Sequence, residues 1–126
     1  MIIGIGSDIV DAKVNSKSLS GLAGQRFLHR ILSEEELTLY HVHKGEQFVA
    51  GRFAAKEAVL KCLGTGMQDG ISLKDISIDR SDTGQPVVQL KGLVKLIAED
   101  LGINKWHISI SHSPRCTIAY VVAEAI

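Results

Sequence analysis

The sequence predicts an α+β fold in which a mainly antiparallel sheet packs with a long central helix. Its segments follow the order strand, three helices, two strands, helix and two strands. The links between the later strands have hairpin length, which favours antiparallel neighbours. The stretch from about Gly45 to Leu63 is apolar on almost every side and predicts a buried helix. The length of 126 residues predicts that residues 1–126 form one domain.

The opening segment MIIGIGSDIV is short and β-branched, and it predicts a buried strand. Gly4 and Gly6 interrupt this strand, which indicates a bulge or the close approach of another group. The same segment contains Asp8, which is a charged residue inside an otherwise apolar strand.

Two helices are expected before the central one. The run LSGLAGQRFLHRIL has helical spacing at Leu22, Phe27 and Ile31. In the next segment Glu36 follows Ser33 by three residues, and this capping box begins a helix that runs through about Lys44.

The central helix contains two informative glycines. Gly64 follows its last apolar residue and is placed to take the left-handed conformation. Gly51 lies inside the helix, at a cost of about 1 kcal/mol relative to alanine. We therefore expect a neighbouring group to pack close to Gly51.

The remaining segments alternate strands with one helix. DISIDR and PVVQLK flank a turn that contains Gly84, which predicts a hairpin. GLVKLIAEDLG predicts an amphipathic helix that ends at Gly102, and KWHISISH and CTIAYVVAEA predict two closing strands.

Charge and composition restrict the classes of function. Acidic and basic residues number 14 each, so the net charge gives no argument for a nucleic-acid or membrane partner. No apolar run reaches the roughly 18 residues of a membrane span, and the start of the sequence does not resemble a signal peptide. Cys62 and Cys116 form no Cys-x-x-Cys motif. The expected location is the cytoplasm.

Four charged residues lie on the apolar central helix. Glu57 and Lys61 share one face, while Arg52 and Lys56 share a neighbouring one. A buried carboxylate needs a partner, and a strand Asp with a helix Glu is a typical oxygen pair for Mg²⁺, so Asp8 and Glu57 are metal candidates. The alternatives are an ordinary surface ion pair between Glu57 and Lys61 and a turn or capping role for Asp8.

Other segments leave their roles open. Gly64-Thr65-Gly66 follows the helix as a C-cap or as a ligand loop, and neither a Walker A loop nor a dinucleotide fingerprint is present. His112 is the last residue of a predicted strand. Its side chain either contacts a ligand or forms a structural hydrogen bond. Strand alternation points Ser111 and His112 to opposite faces, so a Ser-His dyad would need a bulge.

The segments GIGSDIVD, GRFAAKEAVLKCLGTG, TGQPVVQL and HISISHS together resemble the holo-acyl-carrier-protein synthase family of short bacterial 4'-phosphopantetheinyl transferases, over nearly the whole chain. The resemblance implies the 4'-phosphopantetheinyl transferase fold and transfer of 4'-phosphopantetheine from coenzyme A to a serine of apo-acyl carrier protein. It further implies that Asp8 and Glu57 hold Mg²⁺, with Mn²⁺ as an alternative. The residues that it places around coenzyme A are Arg52, Lys56, Lys61, Gly64, Thr65, Gly66, Gln85, Pro86 and His112.

The resemblance also suggests catalytic roles and partners. Glu57 is the candidate base, and Lys61 would add positive charge at the transferring phosphate. Carrier proteins are acidic, so the basic run of Lys13, Lys17, Arg26 and Arg30 would orient one, unless it is only a solvated face. Family members of this size are similar in forming homotrimers with the site between subunits.

Two other functions remain open from the residues alone. One is a non-catalytic module on the same scaffold that binds a nucleotide or coenzyme A, for which Glu57→Gln would have no effect in a turnover assay. The other is a small hydrolase that uses Ser111 and His112 and needs neither a metal ion nor coenzyme A.

Overall fold

The computed structural model describes residues 1–11, 19, 21–43 and 45–126, and within these ranges it has the predicted order of elements. The first half contains strand β1 and three α-helices, and the second half contains four strands, one α-helix and the short 3-10 helix Leu73–Asp75. Their bounds are β1 Ile2–Asp11, α1 Leu22–Ile31, α2 Glu34–His43, α3 Glu46–Leu63, β2 Ile76–Arg80, β3 Pro86–Leu90, α4 Gly92–Asp100, β4 Lys105–His112 and β5 Cys116–Glu124.

The strands of the described residues form two antiparallel sheets. The first has the order β1-β5-β4, and the second is the β2-β3 hairpin, whose turn contains Gly84 with a φ of 85°. Helix α3 packs across β1 and β5, and strand β3 lies beside β4. The α+β class with antiparallel pairing around a long central helix is confirmed.

Strand β1 approaches α3 closely because two of its inward-facing residues are glycines. A Cβ atom on Gly4 would lie 2.2 Å from the Cys62 carbonyl oxygen, and one on Gly6 would lie 1.9 Å from that of Ala58. The register between β1 and β5 also shifts between Ile2 and Gly4, so the predicted bulge and the predicted close approach both occur. Asp8, the next residue on this face, is thereby held beside α3.

Helices α2 and α3 have the predicted ends. The Ser33 amide donates to Glu36 Oε1 over 2.8 Å, and the Glu36 amide donates to Ser33 Oγ over 3.1 Å, which completes the capping box. Gly45 is the N-cap of α3, and Gly64 follows it with a φ of 73°. Lys44, expected in the last turn of α2, lies outside the described residues.

Helix α1 buries part of the predicted apolar set, because Ile31 is buried and Phe27 is partly buried against the core. Gly24, Leu28 and Ile31 are buried, whereas Leu22 is 71% exposed. Leu22 is the first residue of the helix, and the buried residues recur from Gly24 at helical spacing, so the inward face begins after it. None of the described helices is both long and apolar enough to span a membrane.

Candidate functional site

One charged cluster lies where β1 crosses α3. The Lys61 ammonium donates to the Ser7 carbonyl oxygen over 2.7 Å and to Asp8 Oδ1 over 3.3 Å. Asp8 faces α3 because it alternates with Gly4 and Gly6 along the strand. The predicted meeting of Asp8 with the charged face of α3 is therefore present.

Glu57 completes this cluster. Partial burial raises the pKa of its carboxyl, the negative charge of Asp8 raises that pKa further, and Lys61 opposes both. Two carboxylates near one ammonium make an electron-rich space that suits a hard cation. Within the described part of the chain no three His, Cys, Asp or Glu side chains gather into a metal site, so such a cation would take its other ligands from water or phosphate.

A second cluster lines a cavity of about 970 Å³ on another side of α3. Three basic side chains, those of Arg52, Arg80 and His112, line it together with the carboxylate-bearing residues Glu35 and Asp79. A cavity with convergent basic groups is suited to an anionic ligand.

Arg52 is almost fully buried in this cavity wall. Its Cζ atom lies 3.9 Å from the centroid of the Phe48 ring, and its buried Nε has no hydrogen-bond partner among the described residues. Burial lowers the pKa of the guanidinium, the charge of Glu36 opposes this shift, and Arg80 lowers the pKa further. An anion in the cavity would relieve this unfavourable environment.

A neighbouring group packs closely against Gly51, as the glycine inside the helix predicted, and the structure shows that this group is His112. A Cβ atom on Gly51 would lie 3.2 Å from His112 Cε1, so the imidazole fills the space that a side chain would need. The imidazole Nδ1 lies 2.8 Å from Thr117 Oγ1. Burial lowers the pKa of His112, and the charges of Arg52 and Arg80 lower it further.

The structure corrects the expected position of Lys56. Its side chain is completely buried, and its ammonium donates to Glu36 Oε1 at 2.5 Å, to the Leu73 carbonyl oxygen at 2.9 Å and to the Ile31 carbonyl oxygen. Because three acceptors use its three protons, Lys56 has none left for a coenzyme A phosphate.

The remaining expected ligands lie in two turns. Gly64, Thr65 and Gly66 follow α3 on the surface, and the space around both glycines is open for a ligand backbone contact. Gln85 and Pro86 lie where the hairpin turn meets β3, and neither belongs to the lining of the large cavity.

The two clusters lie on opposite sides of one helix. Arg52 and Glu57 are five positions apart, so their side chains leave the helix axis about 140° apart. A single chain therefore divides the expected site residues between a carboxylate side, with Asp8, Glu57 and Lys61, and a basic cavity, with Arg52 and His112.

The expected carrier-protein surface is described in part. Arg26 and Arg30 are exposed on α1, while Lys13 and Lys17 lie outside the described residues. Arg30 also lines an apolar cavity of about 410 Å³ together with Phe27, Phe53 and Met67. Arg30 is thus next to an apolar recess.

A Ser-His dyad is not formed. The register of β4 with β5 continues without a bulge from Ser111 opposite Ile118 to His112 opposite Thr117, so the two side chains point to opposite faces. His112 pairs with Thr117 instead. The contact between nucleophile and base that the hydrolase hypothesis requires is therefore not formed between Ser111 and His112.

Sequence reasoning missed several residues of the basic cavity. The apolar pattern of α3 gives no ligand role to Phe48, and Asp79 and Arg80 are only the end of the predicted strand DISIDR. A signal was present for Arg80, a basic residue next to a turn, but its meeting with Arg52 depends on the packing of the hairpin. No local pattern predicts that contact.

Comparisons with known proteins identify the family of this chain. A family model described as the 4'-phosphopantetheinyl transferase superfamily matches residues 4–120. The chain is 41% identical over 126 residues to a holo-[acyl-carrier-protein] synthase of Hydrogenovibrio crunogenus, covering 99% of this chain and 98% of that protein. It is 45% identical over 125 residues to the holo-[acyl-carrier-protein] synthase of Clostridium kluyveri, covering 98% of this chain and 91% of that protein.

A solved structure of another holo-(acyl-carrier-protein) synthase has the same fold. The holo-(acyl-carrier-protein) synthase of Bacillus anthracis in complex with CoA (3',5'-ADP) superimposes with a TM-score of 0.81 at 37% identity, covering 100% of this chain and 99% of that one. The chain therefore belongs to the 4'-phosphopantetheinyl transferase superfamily. Its relatives of matching length are holo-[acyl-carrier-protein] synthases, which confirms the resemblance found in the sequence.

Proposed function

We propose that this protein transfers 4'-phosphopantetheine from coenzyme A to a serine of apo-acyl carrier protein. The products are holo-acyl carrier protein, which serves fatty acid biosynthesis, and adenosine 3',5'-bisphosphate. The observation that carries the proposal is the cluster of Asp8, Glu57 and Lys61, which presents two carboxylates and one ammonium in a chain of this superfamily.

The reaction exchanges one bond to phosphorus for another. The serine oxygen forms a bond to the β-phosphorus of coenzyme A, and the bond from that phosphorus to the bridging oxygen breaks. The electron pair leaves with adenosine 3',5'-bisphosphate. Glu57, directly or through a water molecule, takes the serine proton, since its carboxyl lies in the charged cluster with Asp8 and Lys61.

Asp8 and Glu57 would hold a divalent cation, Mg²⁺ with Mn²⁺ as an alternative. Both carboxylates supply oxygen ligands and border the same space. When bound, the cation neutralises negative charge on the pyrophosphate. Lys61, fixed by Ser7 and Asp8, supplies a second positive charge to the transferring or leaving phosphate.

We place the nucleotide end of coenzyme A in the basic cavity, near Arg52 and His112. The buried, unpaired Nε of Arg52 supports this position, because an acceptor there would satisfy it. Gly64, Thr65 and Gly66 would contact the ligand next to Lys61, and Gln85 with Pro86 would do so from the hairpin. Lys56 acts indirectly, by fixing α3 to its neighbours.

The carrier protein would dock on the basic surface of Lys13, Arg26 and Arg30. The exposure of Arg26 and Arg30 supports this, since an acidic partner is steered by such groups. We propose a cytoplasmic location, in keeping with two free cysteines.

We further propose that the protein is a homotrimer with its site between subunits. The sheet face opposite α3 exposes Ile5, Ile9 and Tyr120 on adjacent strands, an apolar patch that other copies of the chain would cover. Two neighbouring copies would also bring the carboxylate side of one to the basic cavity of the other.

The direct test is intact-mass spectrometry of an apo-acyl carrier protein incubated with this protein, coenzyme A and Mg²⁺. We expect a mass gain of one phosphopantetheine, lost with EDTA and with Glu57→Gln. Glu99→Gln, a change at an exposed residue of α4, is the matched control and should retain the gain. No gain with a competent carrier, together with coenzyme A binding by calorimetry, would support the non-catalytic binding module instead.

A further inference from the structure

A carboxylate stands in the wall of the basic cavity. Asp79 lines this cavity next to Arg80, and its side chain lies on the same face of β2 as Ser77. The Ser77 hydroxyl donates to Asp79 Oδ1 over 3.3 Å. Ser77 is itself buried and hydrogen-bonded to Ser33 Oγ at 2.8 Å, so the carboxylate is held in place from behind.

Asp79 lines the same cavity as Arg52 and acts on its charge without forming an ion pair with it. No described ion pair joins it to Arg52 or Arg80, yet its charge raises the pKa of Arg52, against the effect of Arg80. The carboxylate is therefore close enough to interact electrostatically with Arg52. Because the two side chains form no ion pair, the guanidinium stays free for a ligand. Its negative charge weakens the attraction of the cavity for any anion.

Coenzyme A has two anionic parts, the pyrophosphate and the phosphate on the ribose 3' oxygen. In the proposed reaction the pyrophosphate lies at Asp8, Glu57 and Lys61, so the 3'-phosphate is the anion left for the basic cavity. That phosphate stays with adenosine 3',5'-bisphosphate, the product that must leave before another turnover. A cavity with the same basic groups and one carboxylate fewer would retain this product more strongly.

We propose, resting on the transfer reaction above, that Asp79 limits the affinity of the basic cavity for the 3'-phosphate and thereby speeds release of the bisphosphate product. The residue determines specificity through charge and takes no part in bond making. Its effect is expected to grow with each phosphate charge that enters the cavity.

The test is Asp79→Asn, which keeps the shape of the side chain and an oxygen that accepts from Ser77. Calorimetry should give a Kd for adenosine 3',5'-bisphosphate that is about three- to tenfold lower than in the wild type, the size expected for one partly screened charge. The Kd for adenosine 5'-phosphate, which lacks the 3'-phosphate, should change by less than about twofold. Inhibition by this product should strengthen by the same factor by which the bisphosphate Kd falls. The gain in bisphosphate affinity should be smaller at high salt.

Asp82→Asn is the control, since Asp82 is exposed in the same hairpin and does not line the cavity. It should leave both affinities unchanged. An Asp79→Asn variant with an unchanged or weakened bisphosphate affinity, or with equal gains for both nucleotides, would overturn the role of Asp79. Wild-type protein that binds neither nucleotide would instead overturn the coenzyme A site on which that role depends.

Discussion

The Lys56 ammonium and the Glu36 carboxylate form a completely buried ion pair 2.5 Å apart, at the junction of α2, α3 and β2. Glu36 Oε2 also accepts from the Ile78 amide over 3.0 Å, which fixes the hairpin to the same point. Lys56→Met would leave a buried carboxylate without its cation. We expect a loss of about 3–5 kcal/mol in the free energy of unfolding, measured by chemical denaturation.

Glu35→Gln is the matched control for this change. Glu35 precedes Glu36 in the same helix turn, but its contact with Lys91 at 3.4 Å is between exposed side chains. Water and salt screen such a pair, so its loss should leave the denaturation midpoint almost unchanged. Equal effects of the two variants would contradict the structural role of Lys56.

Sequence patterns predicted the elements well because their signals are local. The capping box at Ser33, the left-handed Gly64 and the hairpin at Gly84 each depend on a few neighbouring residues. The close approach at Gly51 was also readable, since a glycine inside a helix needs a reason. Its partner, His112, was not.

Contacts between distant segments explain what the sequence left undetermined. The phase of α3 correctly grouped Lys56 with Arg52, but it does not say that Glu36, twenty positions earlier, meets the ammonium in the core. Likewise, Arg80 joins Arg52 only because the hairpin packs next to α2 and α3. The contact of Asp8 with α3 was easier to predict, because Asp8 is a charged residue on an otherwise apolar strand, and its role as a metal ligand stays a prediction.

The exposed sheet face gives a prediction about assembly. Tyr120 lies on this face, with Ser7 and Ser109 opposite it, and is 55% exposed. Tyr120→Glu would bury a charge in the proposed contact between copies and should give monomers at micromolar concentration, measured by sedimentation velocity. Leu96→Glu, at a similarly exposed apolar residue of α4, should leave a trimer. A monomeric wild-type protein would contradict the assembly.

A mixing experiment asks whether the site is shared. Glu57→Gln damages the carboxylate side and Arg52→Ala damages the basic cavity, and each variant alone should have little activity. In mixed trimers, an intact Glu57 of one subunit would meet an intact Arg52 of its neighbour. Refolding the two variants together should therefore restore a measurable fraction of wild-type turnover, whereas no recovery would confine the site to one chain.

Helix α1 should determine the affinity for the carrier protein. Arg26→Glu or Arg30→Glu would place negative charge where an acidic carrier docks, so its KM should rise by about tenfold or more at low salt. The KM for coenzyme A should stay the same, because both residues lie away from the basic cavity. Arg115→Glu, in the exposed β4–β5 turn, is the control for charge alone. An unchanged carrier KM would remove α1 from the interface.

His112 should couple nucleotide binding to pH. Burial, Arg52 and Arg80 hold its pKa below the usual value in the free protein, so the imidazole is neutral at pH 7. A bound phosphate favours the charged imidazolium and raises that pKa. The protein should thus take up a proton on binding adenosine 3',5'-bisphosphate, and the affinity contributed by His112 should increase as pH falls between the two pKa values.

Calorimetry in two buffers of different ionisation enthalpy measures this proton uptake. The phosphate also titrates near pH 6, so the informative quantity is the ratio of wild-type to His112→Gln affinity at each pH. That ratio should rise from pH 8 to pH 6. A flat ratio, or equal proton uptake by both proteins, would separate His112 from the ligand.

Gly51 offers a way to disturb the ligand site while keeping the fold. In Gly51→Ala the new methyl group would lie 3.2 Å from His112 Cε1, so the imidazole must shift by a few tenths of an ångström, which disturbs its contact with Thr117 Oγ1. Alanine also gains about 1 kcal/mol over glycine inside a helix, which offsets the local strain. We expect an almost unchanged melting temperature with a roughly tenfold higher KM for coenzyme A, the size of one misplaced charged hydrogen bond.

The control and the coupling test follow from the same geometry. Gly21→Ala adds a methyl group where nothing lies within 4 Å, and it should leave that KM unchanged. If the methyl group of Gly51→Ala acts only through the imidazole, then adding it to His112→Ala should cost nothing more, because the displaced ring is already gone. Additive losses in the double variant would show that Gly51 is needed for a different contact.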